Sequence, residues 1–220
     1  MTSKPKIITR ISKDQAVDFN HFRFEKDSVR LVEGSPAISE YRLKAFDTFQ
    51  NFPIPDTKQE AWRRTDLRGL KPGRFVMRKA DQIELAGDEK GNPADISDDF
   101  AGSVSVSPES AKYSLDPEYE KQGVVFTDLK TAEIRHPQLL EKYLGKVIHP
   151  EEGKFAALSA ALSTNGVFLY VPKNVTLEKP LQSLLFTSGM DTTFITHVVV
   201  YLDEGASATY FQEYQSTHDE

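Results

Sequence analysis

Residues 155–187 read FAALSAALSTNGVFLYVPKNVTLEKPLQSLLFT, and this stretch decides the fold. Its first part, Phe155–Leu162, is Ala-rich and apolar enough to form a buried helix, which we expect Asn165-Gly166 to stop. After Gly166 the pattern changes to short runs of β-branched and aromatic residues that turn residues separate. The sequence therefore predicts a switch from a helical region to a β region near residue 166.

The β region contains several short predicted strands with turns such as Pro172-Lys173-Asn174 between them. Their irregular spacing, and a proline at the mouth of one run, disfavour a simple hairpin meander. The pattern fits successive rungs of a β-solenoid, in which each turn packs only on its neighbours. A β-sandwich or a barrel stays open on pattern alone. The predicted strands are Val167–Val171, Val175–Leu177, Leu181–Thr187, Phe194–Leu202 and Ser207–Tyr214.

The region before residue 150 has one well-marked helix. Ser35 is a candidate N-cap, and Pro36 stands at the first helical position, where a missing N–H is tolerated. Apolar residues follow at three- and four-residue steps, and the segment Pro53-Ile54-Pro55 must end the helix. The residues that we expect on its buried face are Ile38, Tyr41, Ala45, Phe46 and Phe49.

Weaker signals predict further elements in this region. They are capping-box spacing from Ser12 and from Thr57, turn chemistry, and helical apolar periodicity. In chain order, the predicted elements are a helix from Ser12 through Phe24, a short helix that carries Trp62, a strand at 73–80, a loop at 87–94, an irregular surface segment at 101–120, and helices at Leu129–Arg135 and from Pro137 to Gly145.

We therefore expect an α+β protein with two parts. Residues 1–150 form a mainly helical, mixed region, and residues 151–220 form the start of a β-solenoid. The sequence ends directly after a predicted strand, and a solenoid that ends this way exposes unpaired N–H and C=O groups. We interpret the chain as a truncated solenoid or one whose end a partner covers, and self-association through the exposed edge is expected.

Composition disfavours several classes of function. The 27 Lys and Arg against 33 Asp and Glu give a net charge of −6, which is unsuited to binding nucleic-acid phosphates. No apolar run approaches the roughly 20 residues of a membrane-spanning helix, and the N-terminal sequence lacks the apolar stretch of a signal peptide. The absence of Cys removes disulfides and Cys-ligated metals. We expect a cytoplasmic protein that binds neither nucleic acid nor membranes.

The sequence supplies no recognisable catalytic or metal-binding site. None of the five histidines pairs with another at the two-, three- or four-residue spacing of a metal clamp. His197 interrupts an apolar strand, and we interpret it as a core histidine rather than a ligand or a base. Trp62 is interpreted as a buried anchor rather than a base-stacking residue. Glycine-rich phosphate loops and nucleophile elbows are missing, so we predict no catalytic, cofactor-binding or metal-binding residue.

Three segments resemble the SufB/SufD family of iron–sulfur cluster assembly proteins. Phe52–Leu67 has a proline turn and then Glu60, Trp62 and Thr65-Asp66-Leu67, similar to the pattern E-x-W-[KR]-x-T-[DN]-[LI] of SufD members. Phe155–Gln182 is similar to F-x-x-L-N-x-A, then G-x-[FV]-[IVL]-x-[VI]-P and a Pro-[IL]-[QH] step, with Ser159 at the usual Asn. His197–Tyr214 resembles R-x-L-[IV]-x-[LV]-x-x-[GN]-A-x-[AV]-x-[LV]-x-E-x-[YF], with the basic residue replaced.

This resemblance implies a right-handed parallel β-helix after the N-terminal region. It also implies a complex with SufB and the ATPase SufC, in which a SufD-like chain is a scaffold and not an enzyme. The first segment and the absence of Cys favour SufD over SufB. The iron–sulfur cluster would be handled by the full complex, and no cofactor is expected on this chain. Family proteins continue beyond Glu220, so the docking region for SufC is not expected here.

Two other classes of protein use similar strands. A cupin or jelly-roll metalloenzyme requires an H-x-H cluster with a later Glu and His on facing strands, whereas only His197 lies in a predicted strand. A β-helix enzyme that acts on carbohydrate requires carboxylates on its flat strand faces, whereas Val198–Leu202 and Leu184–Phe186 are apolar.

Overall fold

The computed structural model describes residues 21–32, 35–77, 99–108, 110–187 and 193–216. These residues form a mixed α+β fold with five helices and seven strands. The helices are α1 (Pro36–Asn51), α2 (Pro117–Lys121), α3 (Leu129–Arg135), α4 (Pro137–Tyr143) and α5 (Lys154–Leu162); the strands are β1 (Gly102–Val106), β2 (Ala111–Leu115), β3 (Val125–Asp128), β4 (Asn165–Val171), β5 (Leu181–Thr187), β6 (Thr196–Leu202) and β7 (Tyr210–Ser216).

The strands form two mixed sheets. The first has the order β2-β1-β5-β7 and the second the order β3-β4-β6. The pairs β1–β2 and β3–β4 are antiparallel, whereas β1–β5, β5–β7 and β4–β6 are parallel. Among the described strands neither sheet closes into a barrel, and every strand pair made within residues 165–216 is parallel rather than a hairpin.

The two sheets face each other across an apolar core. Val104 and Leu181 of the first sheet pack with Phe126, Val167 and Leu169 of the second, and all five are buried. Alternate residues of β4 and β6 point the other way, where Phe168 and Val199 contact α3 and α4. Alternation of side chains along each strand therefore lets the second sheet bury both of its faces.

Helix α1 is built as its sequence predicts. Ser35 Oγ accepts a hydrogen bond from the N–H of Ile38 at 3.2 Å, Pro36 is the first helical residue, and Phe52 follows the last turn. The buried face includes Phe46 and Phe49, which pack against Ala157, Leu158 and Ala161 of α5 in a separate core cluster.

The predicted positions of α3, α4, α5 and β5 are confirmed to within two residues. Asn165-Gly166 does not stop α5, since that helix ends at Leu162 and Asn165 already begins β4. The predicted strand at Val175–Leu177 contributes only a single bridge, between Thr176 and Ser207.

Several weaker predictions are wrong. Residues 101–120 are not an irregular surface, because they form β1, β2 and α2, and β1 pairs with β5. Phe22–Phe24 are not helical, and the rest of that predicted helix, from Ser12, lies almost wholly outside the described residues, as does the loop at 87–94. Of the strand predicted at 73–80, Gly73 and Arg74 belong to the 3-10 turn Pro72–Arg74, Val76 forms a single bridge, and residues 78–80 lie outside the described residues. The division of the chain near residue 150 stays a prediction.

Candidate functional site

The most distinctive surface of the molecule is the pair of strand edges at one end of the two sheets. Strand β6 is the outer strand of one sheet and β7 of the other, and each pairs with a neighbour on one side only among the described strands. We call this surface, formed by residues 196–202 and 210–216, the β6/β7 edge.

Apolar side chains on the β6/β7 edge extend rows that are buried on the neighbouring strands. Val200 and Leu202 are 42% and 38% exposed, although their partners on β4, Leu169 and Val171, are fully buried. Tyr214 is 65% exposed opposite the buried Leu185. Register therefore places these side chains on the core side of the sheets, where an apolar contact from above would bury them.

A row of hydrogen-bonded polar side chains runs from β5 along the face of β7 that carries Tyr214. Ser183 Oγ lies 2.6 Å from Tyr210 Oη, which donates to Gln212 Oε1 at 2.9 Å. Gln212 Nε2 then donates to Tyr214 Oη at 2.9 Å. Burial raises the pKa of Tyr210 above its usual value, so the phenol stays protonated and can donate.

Two stacked turns fix the spacing between the parallel strands beside this edge. Asn174 adopts a left-handed conformation with φ of 60°, and its N–H donates to the carbonyl of Glu204 at 3.0 Å. Lys173 Nζ lies 2.7 Å from a carboxylate oxygen of Glu204. Gly205 has φ of 71°, a left-handed conformation that favours glycine, and a Cβ there would displace the side chain of Asn174, whose Oδ1 it would meet at 2.4 Å.

A buried charge cluster lies in the helical part of the molecule. Glu133 of α3 is 1% exposed, and its two carboxylate oxygens accept hydrogen bonds from Arg30 and from Arg42, which is 2% exposed. Arg42 also donates to the backbone carbonyl of Arg30 at 3.0 Å. Burial lowers the pKa of Arg42 to about 10, so it is still charged at neutral pH. The cluster joins α1, α3 and the segment before α1.

Two further basic groups have pKa values that this environment lowers. Burial, assisted by the charge of Arg30, lowers the pKa of Lys130 to about 8. Burial and the charge of Arg42 lower the pKa of His197 to about 4, so the imidazole is neutral at pH 7. His197 lies half-buried in β6, and Gly166 opposite it has no room for a Cβ, which would meet the His197 carbonyl oxygen at 1.9 Å.

The histidines do not converge on a metal site. His136 lies between α3 and α4, His149 precedes a 3-10 turn, His21 is exposed at the start of the described chain, and His218 lies outside the described residues. Within the described ranges, no three His, Asp or Glu side chains are grouped as metal ligands. The sequence-based expectation that this chain has no catalytic, cofactor-binding or metal-binding residue stays a prediction.

Trp62 is less buried than its sequence context predicts. It lies in a 3-10 turn, Glu60–Trp62, which no side chain caps, so the predicted capping box of Thr57 and Glu60 is wrong. The indole is half-buried and its ring centroid lies 5.4 Å from that of Phe155 at the start of α5. Trp62 therefore connects the proline turn to α5 through its aromatic contact with Phe155.

Sequence reasoning missed the buried charge cluster. Arg42 and Glu133 are 91 positions apart in the chain, and no local pattern joins them. The one available signal is Arg42 itself, which interrupts the apolar face of α1 between Ile38 and Ala45. A charged residue on a buried face predicts a partner, because an unpaired charge is costly to bury, but it does not identify that partner.

The helices of the described part of the chain are all too short or too polar to cross a membrane.

Comparison with known proteins identifies the family. The model of the SufBD protein N-terminal region matches residues 16–183. The chain is 32% identical over 195 residues to the iron–sulfur cluster assembly protein SufD of Bacillus subtilis strain 168, covering 82% of this chain and 42% of that protein. It is 30% identical over 197 residues to an iron–sulfur cluster assembly SufBD family protein of Staphylococcus haemolyticus, covering 83% and 41%.

The chain therefore belongs to the SufBD family of iron–sulfur cluster assembly proteins. It spans about two fifths of the length of these relatives, since it covers 42% and 41% of them. The family resemblance that the three sequence segments carry is confirmed.

Proposed function

We propose that this chain is the SufD-type component of an iron–sulfur cluster assembly complex and acts there with SufB and the ATPase SufC. The observation that carries the proposal is the 32% identity with a protein named SufD, which extends over 82% of this chain. The segment Phe52–Leu67, with its SufD-like pattern around Trp62, supports the same choice. The absence of Cys is in keeping with SufD rather than SufB.

We also propose that β4 to β7 are the first coils of a right-handed parallel β-helix. Their parallel partners lie roughly 30 residues apart along the chain, within the usual repeat length of solenoids. The stacked turns at Asn174 and Gly205 and the bridge between Thr176 and Ser207 support this repeat. Right-handed crossover is the strong preference for parallel strands. In this arrangement the β6/β7 edge receives the next coil.

The role of the chain is that of a scaffold. It supplies a rigid platform, anchored by the buried charge cluster, on which strands of the assembly are added. It turns over no substrate by itself, and the iron–sulfur cluster is the cargo of the complete complex rather than a cofactor of this chain. The place of action is the cytoplasm.

Genetic complementation tests the assignment to SufD. The reading frame that encodes this chain is expressed in two strains that depend on this assembly system, one without SufD and one without SufB. We expect growth and iron–sulfur enzyme activity to return only in the strain that lacks SufD. Restoration of the strain that lacks SufB contradicts the assignment.

Co-purification tests the partners. Tagged SufC from the same organism, co-expressed with SufB and the reading frame that encodes this chain, should retain both proteins through a salt wash. Loss of the encoded protein from the column, with SufB still retained, contradicts the proposed complex.

Paired substitutions on β7 test the β-helix. Tyr214 faces the core side and Phe211 the opposite side of the same strand, and both are more than half exposed. When a further coil covers the edge, Tyr214→Asp should cost roughly 3–5 kcal/mol because it buries a charge between coils. Phe211→Asp is the matched control and should cost much less. Equal costs contradict a coil that covers the core side of β7.

A further inference from the structure

A cavity of about 500 Å³ lies between β2, β3, α3 and the first turn of α4, on the side of the molecule away from the β6/β7 edge. Its floor includes Val124 and Phe126, which are buried, and its rim includes the exposed Glu120 and Arg135. This size and this combination of an apolar floor with a few polar groups are typical of a small-molecule site.

Thr127 lines this cavity, and its hydroxyl is buried. Thr127 is 3% exposed, and its Oγ1 has no hydrogen-bond partner among the described residues. The side chain of the next residue, by contrast, is hydrogen-bonded: Asp128 Oδ1 accepts a hydrogen bond from the N–H of Thr131 and caps α3. Buried hydroxyls are nearly always paired, so an unpaired one that lines a cavity points to a partner that enters from solvent.

The positively charged side chain of Arg135 also lines this cavity. Arg135 is the last residue of α3, and its Nη1 donates to Tyr113 Oη at 3.0 Å, which holds the guanidinium at the rim. Thr127 precedes α3, a helix of seven residues and thus about 10 Å in length. Thr127 and Arg135 therefore lie at opposite ends of α3, and apolar Leu115 and Leu139 line the cavity with them.

We propose that this cavity binds a small aromatic carboxylate that carries a hydroxyl at the end opposite its carboxylate. The carboxylate pairs with Arg135, the ring lies against the apolar walls, and the distal hydroxyl bonds to Thr127. Glu120 at the rim disfavours a second negative charge, so the ligand is a monoanion. The site lies apart from the β6/β7 edge and does not depend on the assignment to SufD.

Binding of 4-hydroxyphenylacetate to the 220-residue chain, followed by calorimetry and by chemical-shift changes, tests the proposal. Phenylacetate lacks only the distal hydroxyl, and 4-hydroxyphenylethanol lacks only the carboxylate. We expect saturable binding of 4-hydroxyphenylacetate, roughly fivefold weaker binding of phenylacetate, and binding of the alcohol that is weaker by roughly tenfold or more. Equal affinities for the three probes, or no saturable binding, overturn the proposal without the use of any variant.

Two variants then assign the contacts. Thr127→Val should weaken the binding of 4-hydroxyphenylacetate roughly fivefold and leave the binding of phenylacetate unchanged. The melting temperature of the free protein should stay the same or rise, because an unpaired buried hydroxyl is removed. Arg135→Gln should weaken the binding of both carboxylate ligands roughly tenfold, and Arg135→Lys should restore part of the lost affinity. Arg63→Gln, a distant exposed cation, is the control. Full affinity in Thr127→Val and Arg135→Gln places binding elsewhere and overturns the assignment.

Discussion

The buried charge cluster and the β6/β7 edge differ in how they are exposed to water: the cluster buries charged side chains, and the edge exposes apolar ones. In the cluster, the charges of Arg42 and Glu133 are almost wholly removed from water and pair with each other. At the edge, Val200, Leu202 and Tyr214 are exposed although the adjacent strands bury the corresponding side chains. The charges of the cluster are paired within the chain, whereas the edge presents apolar side chains that a further strand would cover. The first therefore stabilises the fold, and the second is suited to assembly.

The largest expected effect is that of Glu133→Gln. It leaves Arg30 and Arg42 without a compensating charge in the core, and breaking a buried pair in this way costs about 3–5 kcal/mol. Denaturation in urea measures the loss. Glu118→Gln is the control, because Glu118 pairs with Lys121 on the surface and should change stability by less than about 0.5 kcal/mol.

A double variant sharpens this result. Replacing both Arg42 and Glu133 by Met removes the two most buried charges together and should recover part of the loss. If the double variant is no more stable than Glu133→Gln, then the position of α1 on α3 depends on these specific hydrogen bonds rather than on charge balance.

The second effect is a loss of stability in acid that depends on His197. Its pKa is about 4 in the folded protein and near 6.5 in the unfolded chain, so the unfolded state binds more protons between these values. The contribution of His197 is fully present above pH 6.5 and is lost as the pH falls toward 4, by up to about 3 kcal/mol. Urea titrations from pH 7.5 to 4.5 should show a steeper decline for the parent protein than for His197→Gln. Parallel declines contradict the lowered pKa.

Trp62→Ala tests a third region, the aromatic contact to α5. A half-buried indole with one ring neighbour should contribute about 1–2 kcal/mol, less than a fully buried one. Trp62→Phe keeps an aromatic ring beside Phe155 and should recover most of the loss. A loss above about 3 kcal/mol for the alanine variant indicates that Trp62 is part of the main core.

Much of this architecture follows from local sequence. The cap at Ser35 and the periodicity behind it predict α1, and β-branched runs between turns predict β4 to β7. What the sequence does not reveal is pairing at long range. The run 101–120, rich in Ser and Pro, forms a strand because β1 finds β5 as a parallel neighbour, and no pattern within the run indicates this. The same holds for Arg42 with Glu133 and for Thr127 at its cavity, which depend on packing between distant elements.

The smallest effect on stability, and the most direct test of the β6/β7 edge, concerns the 220-residue chain alone. Tyr214→Asp and Val200→Asp change exposed side chains, so each should alter the free energy of unfolding by less than about 0.5 kcal/mol. Two copies of the chain can nevertheless meet through equivalent β6/β7 edges, because such a contact pairs backbone groups and covers apolar side chains on both. Light scattering after size-exclusion chromatography should show a mass that rises with concentration in the parent chain. Both variants should stay closer to the monomer mass, whereas Phe211→Asp, on the opposite face of β7, should associate like the parent. A monomer at every concentration, or equal inhibition by Phe211→Asp, contradicts association through the core side of this edge.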